Sequence, residues 1–99
     1  MITAKDALML ERWDGSALVL NGRTTVEGGR LGPWTRSDMG PFESREAPVR
    51  ITGGDGEGNE GRLVLYRHLD ISTFSCSLAV GPGERPDRLV DVLSAERAG

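Results

Sequence analysis

Alternation of apolar and polar positions is the strongest pattern in the sequence, and it predicts β-strands. In residues 73–80 every second position is apolar and the positions between them are small or hydroxylated, the apolar ones being Phe74, Cys76, Leu78 and Val80. A period of two places one set on each face of a strand. We therefore expect the apolar face to lie on a core and the Ser and Thr face to meet water, as in an antiparallel sheet covered on one side.

The first third of the chain shows the same alternation, interrupted by turn residues. Residues 7–13 alternate and are followed by Asp14-Gly15, which predicts a hairpin to a strand in 17–20. Asn21-Gly22 predicts a second tight turn, into 23–27, where Thr and Val favour a strand. The simplest interpretation is a three-stranded antiparallel meander.

Further along the chain, strands alternate with segments rich in glycine. Short strands are predicted at 49–52 and 63–68, joined by a glycine-rich acidic loop at 53–61. Residues 28–41 contain four glycines and two prolines without helical or strand periodicity, which predicts a long loop. Loops of that length are uncommon in small domains and are often functional.

The carboxy-terminal segment has features of a helix. Pro86 and Asp87 suit a first helical turn, Leu89, Val90 and Leu93 fall on one helical face, and these positions predict a helix over 86–97. Together the elements predict one domain over residues 1–99. Its expected fold is a mostly β, small antiparallel β-sandwich or partly open β-barrel of about six or seven strands with one C-terminal α-helix.

Composition narrows the classes of partner. The chain has 12 basic and 15 acidic residues and a net charge of −3, so no excess of positive charge favours nucleic acid. A single cysteine and the lack of a secretory leader pattern lead us to expect a cytoplasmic protein, and no apolar run approaches the roughly 20 residues that cross a bilayer, so no membrane association is expected. The apolar fraction of 37% predicts a thin core, which favours an oligomer or part of a larger assembly.

Two sets of residues could carry chemistry, and neither fits a known pattern. Cys76 with His68 would make a nucleophile and a base, but Cys76 belongs to the apolar stripe, so we expect it to be buried and unreactive.

The acidic loop offers oxygen ligands to a metal, the weak candidates being Asp55, Glu57, Asn59 and Glu60. A calcium loop that began at Asp55 would need glycine at its sixth position and glutamate at its twelfth, where this chain has Glu60 and Tyr66. We therefore expect no enzyme activity, no metal and no cofactor.

The long loop carries the residue types that anchor protein interfaces. Tryptophan, phenylalanine and arginine are enriched in such anchors, and the predicted partner-binding residues are Trp34, Arg36, Phe42 and Arg45. Trp34 could instead cover an open edge of the core, as loop aromatics often do.

The expected function is a non-catalytic protein-binding or assembly module, such as a repeated structural subunit of the phage type or a small inhibitor or regulator. Its partner would be protein, either another copy of this chain or a different one. The alternative is a β domain that binds a small ligand or a divalent metal at the barrel mouth and the acidic loop.

Overall fold

One curled antiparallel sheet forms the body of the protein, in a computed structural model that describes residues 2–54, 58–71 and 73–99. Within these ranges, a single helix precedes all the strands. The elements are α1 (Ala4–Glu11), β1 (Leu18–Leu20), β2 (Thr24–Glu27), β3 (Thr35–Arg36), β4 (Phe42–Thr52), β5 (Asn59–His68), β6 (Phe74–Val80), β7 (Arg88–Asp91) and β8 (Ala95–Arg97).

The sheet is curled into a half-barrel of seven strands. The hydrogen-bonded path runs β7-β6-β5-β4-β2-β1-β8, and the short β3 pairs with β4 beside β2. Although β7 and β8 are consecutive in the chain, they occupy the two opposite ends of this path. The three residues between them therefore bridge the ends of the curled sheet. The predicted mostly β, antiparallel architecture is confirmed at this level.

The core fills the concave face. Every second residue of β4, β5 and β6 points inward, and the buried apolar set includes Ala47, Val49, Ile51, Leu63, Leu65, Cys76, Leu78 and Val80. The predicted stripe of β6 is thus confirmed, although Phe74 at its end is only half-buried. Ala79, on the convex face, is buried as well, between Arg62 and Leu89 in the strand register.

The predicted strand at 7–13 is wrong, because α1 occupies most of it. Thr3 caps the helix by accepting a hydrogen bond from the N–H of Asp6 to its Oγ1 (3.1 Å). Ala7 and Leu10 are buried on one side of the helix, at a spacing of three. The predicted Asp14-Gly15 hairpin is wrong for the same reason, since these residues connect the helix to β1.

The predicted C-terminal helix at 86–97 is also wrong, because that segment forms β7 and β8. Val90 lies opposite Leu78 of β6, and Glu96 lies opposite Val19 of β1. Val92, between the two strands, donates its N–H to the carbonyl of Cys76 (3.0 Å) and is buried. As strands, these residues pair with the edges of β6 and β1, whose backbone groups a helix over this segment would leave unpaired.

The Asn21-Gly22 turn is confirmed and has a second role. Both residues have positive φ, 55° and 73°, and the N–H of Arg23 donates to the carbonyl of Leu20 (3.1 Å) across the turn. The Asn21 side chain donates from Nδ2 to the carbonyl of Asp91 (2.8 Å) and accepts at Oδ1 from the N–H of Leu93 (2.7 Å) and of Ser94 (3.3 Å). This one amide fastens the β1–β2 turn to the segment that bridges the ends of the sheet.

Close packing at Gly29 joins the start of the long loop to the core. A Cβ at this position would clash with the carbonyl oxygen of Pro48 and press against Ala47 and Trp13. The indole Nε1 of Trp13 donates to the carbonyl of Ser16 (2.7 Å), so the ring beside Gly29 is held in place. Among the described residues, no helix is long and apolar enough to cross a membrane.

Candidate functional site

The loop at 28–41 is fastened to β4 rather than projecting from it. The N–H of Gly32 donates to the carbonyl of Glu46 (3.0 Å), and Nε of Arg45 donates to the carbonyl of Gly32 (2.9 Å). The two-residue strand β3 then pairs with β4, with Arg36 opposite Glu43. These bonds hold Trp34 on the concave face of the sheet, where it is half-buried against the core.

Two arginines flank the Trp34 ring. The guanidinium carbon of Arg67 lies 4.2 Å from the ring centroid and that of Arg45 lies 5.5 Å from a ring centroid, both within the range of cation–π attraction. Arg67 also forms an ion pair with Glu43, with 2.9 Å between Nη2 and Oε1. Its buried Nε has no hydrogen-bond partner within the described residues.

The four predicted partner-binding residues do not form one surface. Trp34 and Arg45 lie on the concave face and contact each other, whereas Phe42 points to the convex face, where its ring meets Tyr66 edge-on with 5.9 Å between centroids. Arg36 is exposed on β3. The binding role of these residues stays a prediction, and for Trp34 the contacts are those of a side chain that covers the end of the core.

A different set of exposed apolar residues stands at one end of the sheet. The turn between β3 and β4 lies beside the turn between β5 and β6, because the N–H of Leu69 donates to the carbonyl of Pro41 (2.8 Å). Met39 on the first turn is 92% exposed, and Ile71 and Leu69 on the second are 62% and 42% exposed. We call Met39, Leu69 and Ile71 the tip surface.

The tip surface was missed in the sequence because each residue appears there as a single apolar position in a polar segment. The available signal was the residue type, since turns are usually built from Gly, Asn, Asp, Ser and Pro. Only the pairing of β4 with β5 shows that the two turns are neighbours.

Cys76 and His68 are on opposite faces of the sheet, so they cannot form a nucleophile and base pair. Cys76 faces the core and is 4% exposed, as predicted, while His68 lies beside Phe42 on the convex face, with 6.0 Å between ring centroids. Burial raises the pKa of the Cys76 thiol to about 12. The thiol is therefore protonated and inaccessible at neutral pH.

The weak metal candidates are only partly placed. Asp55 and Glu57 lie outside the described residues, and Asn59 and Glu60 belong to β5, opposite Ile51 and Arg50. Within residues 2–54, 58–71 and 73–99, no three His, Cys, Asp or Glu side chains are grouped so that they could hold a metal ion. The alternative function of metal or ligand binding stays a prediction.

Comparison with known proteins adds no assignment: no family model matches the chain, and no curated protein or solved structure is significantly similar to it.

Proposed function

We propose that the protein is a non-catalytic assembly module that associates with further copies of itself through the tip surface. The observation that supports this proposal is the exposure of Met39, Leu69 and Ile71 on two turns that lie side by side. Single exposed apolar residues are common on protein surfaces, but neighbouring ones on turns are typical of contact sites.

The charges around the tip surface favour a second copy as the partner. Arg36 ends β3 just before the first turn, Asp38 lies within that turn beside Met39, and Asp70 stands between the two apolar residues of the second turn. None of these three side chains forms an ion pair within the residues that the structure describes. A two-fold axis through the tip would bring the arginine of one copy towards the acids of the other, so the surface is complementary to itself.

The size of the surface predicts weak association. The exposed fractions amount to about two fully exposed side chains per copy, and burying each contributes about 1.5 to 3 kcal/mol. Association costs of about 4 to 15 kcal/mol offset most of this gain. We expect a dissociation constant in the micromolar to millimolar range, and because a two-fold contact uses the tip surface of both copies, we expect its product to be a dimer.

Sedimentation velocity at protein concentrations from about 10 μM to 1 mM tests the proposal in the predicted affinity range. The average mass of the native protein should rise with concentration, and Ile71→Glu should keep it at the monomer value because a carboxylate would be buried in the contact. Leu89→Glu is the matched control, since Leu89 is 66% exposed but lies far from the tip, on β7.

The same experiment can contradict the proposal in two ways. A native protein that stays monomeric over the whole range would point to a different protein as the partner. Equal loss of association in Ile71→Glu and Leu89→Glu would show that the tip surface is not the contact. Thermal melts of both variants should match the native protein, because both positions are exposed.

A further inference from the structure

Strand β8 ends the hydrogen-bonded path of the sheet and has one open edge. On its other side it pairs with β1, where the N–H of Ala98 donates to the carbonyl of Ala17 (3.0 Å) and that of Asn21 donates to the carbonyl of Ser94 (2.9 Å). In this register Glu96 lies opposite Val19. The two residues form a hydrogen-bonded pair, which lies between the two hydrogen bonds just named.

Hydrogen-bonding direction alternates along an antiparallel strand, so the neighbours of Glu96 face the open side. The N–H and C=O groups of Ala95 and Arg97 therefore point away from β1. Neither residue forms a backbone hydrogen bond on that side within the described chain. Two donors and two acceptors thus stand in a row at the spacing of an extended strand.

Helix α1 lies across from this open edge and turns it into a groove. The groove has a volume of about 540 Å³ and is lined by Lys5, Asp6 and Met9 of the helix and by residues 94–97 of the β8 side. Met9 packs against the core and supplies an apolar wall. Extended peptides bind to exposed sheet edges by adding a strand, with main-chain hydrogen bonds for affinity and pockets for alternate side chains.

We propose that this groove binds an extended segment of a different protein, which adds to β8 as an antiparallel strand. Its main chain would pair with the free groups of Ala95 and Arg97, and its side chains would alternate between Met9 and solvent. The site is separate from the tip surface, and its partner is a different protein.

A second copy of this chain does not suit the open edge. Pairing β8 with its own copy about a two-fold axis at Glu96 would place two glutamates directly opposite each other, and an axis at Arg97 would do the same with two arginines. Like charges directly opposite on neighbouring strands are destabilising. An axis at Ala95 would require the N–H of Leu93 on the open side, and this N–H already donates to Oδ1 of Asn21.

The side chains of β8 also predict which residue types the bound segment should contain. An acidic residue suits the position opposite Arg97, a basic residue the position opposite Glu96, and an aliphatic residue the position opposite Ala95, beside Met9. Read in the antiparallel direction, the segment is acidic, basic and then aliphatic.

The probe for the test is the peptide Thr-Glu-Lys-Val-Thr with an acetylated amino end and an amidated carboxyl end. It is titrated into the native protein up to about 5 mM while backbone amide signals and their exchange with solvent are followed by NMR, which reaches millimolar affinities. The N–H groups of Ala95 and Arg97 should shift and exchange at least about tenfold more slowly at saturation, because each gains a hydrogen bond.

Two controls separate strand addition from loose contact. The peptide Thr-Lys-Glu-Val-Thr has the same composition but sets Lys against Arg97 and Glu against Glu96, so it should bind at least about threefold more weakly. A probe with an N-methylated valine lacks the N–H that would donate to the carbonyl of Ala95. It should bind about tenfold more weakly, because one hydrogen bond is lost and the methyl group is crowded against that carbonyl.

A variant of the protein tests the same bond from the other side. Arg97→Pro removes an N–H that takes no part in the pairing with β1, so the fold should persist while affinity falls about tenfold. Arg97→Gln keeps that N–H and should retain most of the affinity. Ile71→Glu should bind the probe like the native protein, which distinguishes this site from the tip surface.

Several results would overturn the inference. Unchanged exchange of the Ala95 and Arg97 N–H groups at 5 mM probe would do so, as would equal binding of the N-methylated peptide. Protection of these groups in the free protein would show that the edge is already covered, by a second copy if the protection grows with protein concentration and by α1 if it does not.

Discussion

Replacing Trp34 with alanine should lower the free energy of unfolding by about 2 to 3 kcal/mol. The indole is half-buried against the core, so its loss costs less than the roughly 3 to 5 kcal/mol of a fully buried aromatic residue. The Arg67 guanidinium, 4.2 Å from the ring centroid, contributes about 0.5 to 2 kcal/mol of that total through cation–π attraction.

Urea unfolding of Trp34→Ala, Arg67→Gln and the double variant measures the two contributions separately. The cycle should give a coupling energy of about 1 kcal/mol between the indole and the guanidinium. Trp34→Phe serves as the control, because it keeps an aromatic ring on the core and should lose less stability than the alanine variant.

Sedimentation of the same variants decides between a core role and an interface role for Trp34. If its contacts with Arg45 and Arg67 are its main function, association should be unchanged in variants that remain folded. A stability loss below about 0.5 kcal/mol together with zero coupling would refute this reasoning, and weakened association in a fully stable variant would assign Trp34 to an interface.

Three further substitutions test how the fold is fastened. Asn21→Gly keeps the positive φ of the turn but removes three side-chain hydrogen bonds, so thermal or urea unfolding should show a loss of about 1 to 2 kcal/mol; no loss would mean that the bridge between the sheet ends needs no such tie. Gly29→Ala should cost at least about 2 kcal/mol because its methyl group meets the backbone of β4, whereas Gly32→Ala, with room for a methyl group, should stay within about 0.5 kcal/mol. Burial raises the pKa of the Cys76 thiol from its ordinary value of 9.0 to about 12 in the folded protein, so the unfolded chain loses this proton first and stability should fall by up to about 1.4 kcal/mol per pH unit above pH 9. Cys76→Ala should lack this part of the slope, and parallel stability profiles for the two proteins would show that the thiol is not protected.

The strands that were predicted correctly are those whose pattern is decided locally. In β6 the alternation extends over seven residues, and in the β1–β2 hairpin the Asn21-Gly22 pair fixes the turn by its backbone preference. Both signals remain the same whatever the rest of the chain does.

The two ends of the chain were predicted wrongly because their short patterns fit either period. As a strand, the segment that became α1 would place Leu8 and Leu10 on one face and Met9 on the other. In the helix the buried residues are instead Ala7 and Leu10. The signal for a helix was Thr3, three residues before Asp6. In 86–97 the same leucines and valines suit a helical face or two strands, and the open edges of β6 and β1 decide in favour of strands.

The candidate sites depend on contacts between residues distant in sequence, which the sequence does not display. Trp34 is flanked by Arg45 and by Arg67, and Arg67 is 33 positions further along the chain than Trp34. The tip surface arises because β4 and β5 pair in a register that sets Phe42 against His68 and thereby aligns their turns. The groove at β8 requires α1 to lie beside a strand almost 90 residues away.

A dilution series followed by amide NMR tests most directly whether the tip surface mediates self-association. As the native protein is diluted from about 1 mM to 20 μM, a range that spans the predicted affinity, the signals of residues 37–41 and 69–71 should shift while those of β1 and β8 stay constant. Signals that do not change with concentration, or changes centred on β7, β8 or α1, would contradict the proposal that this protein assembles through its tip.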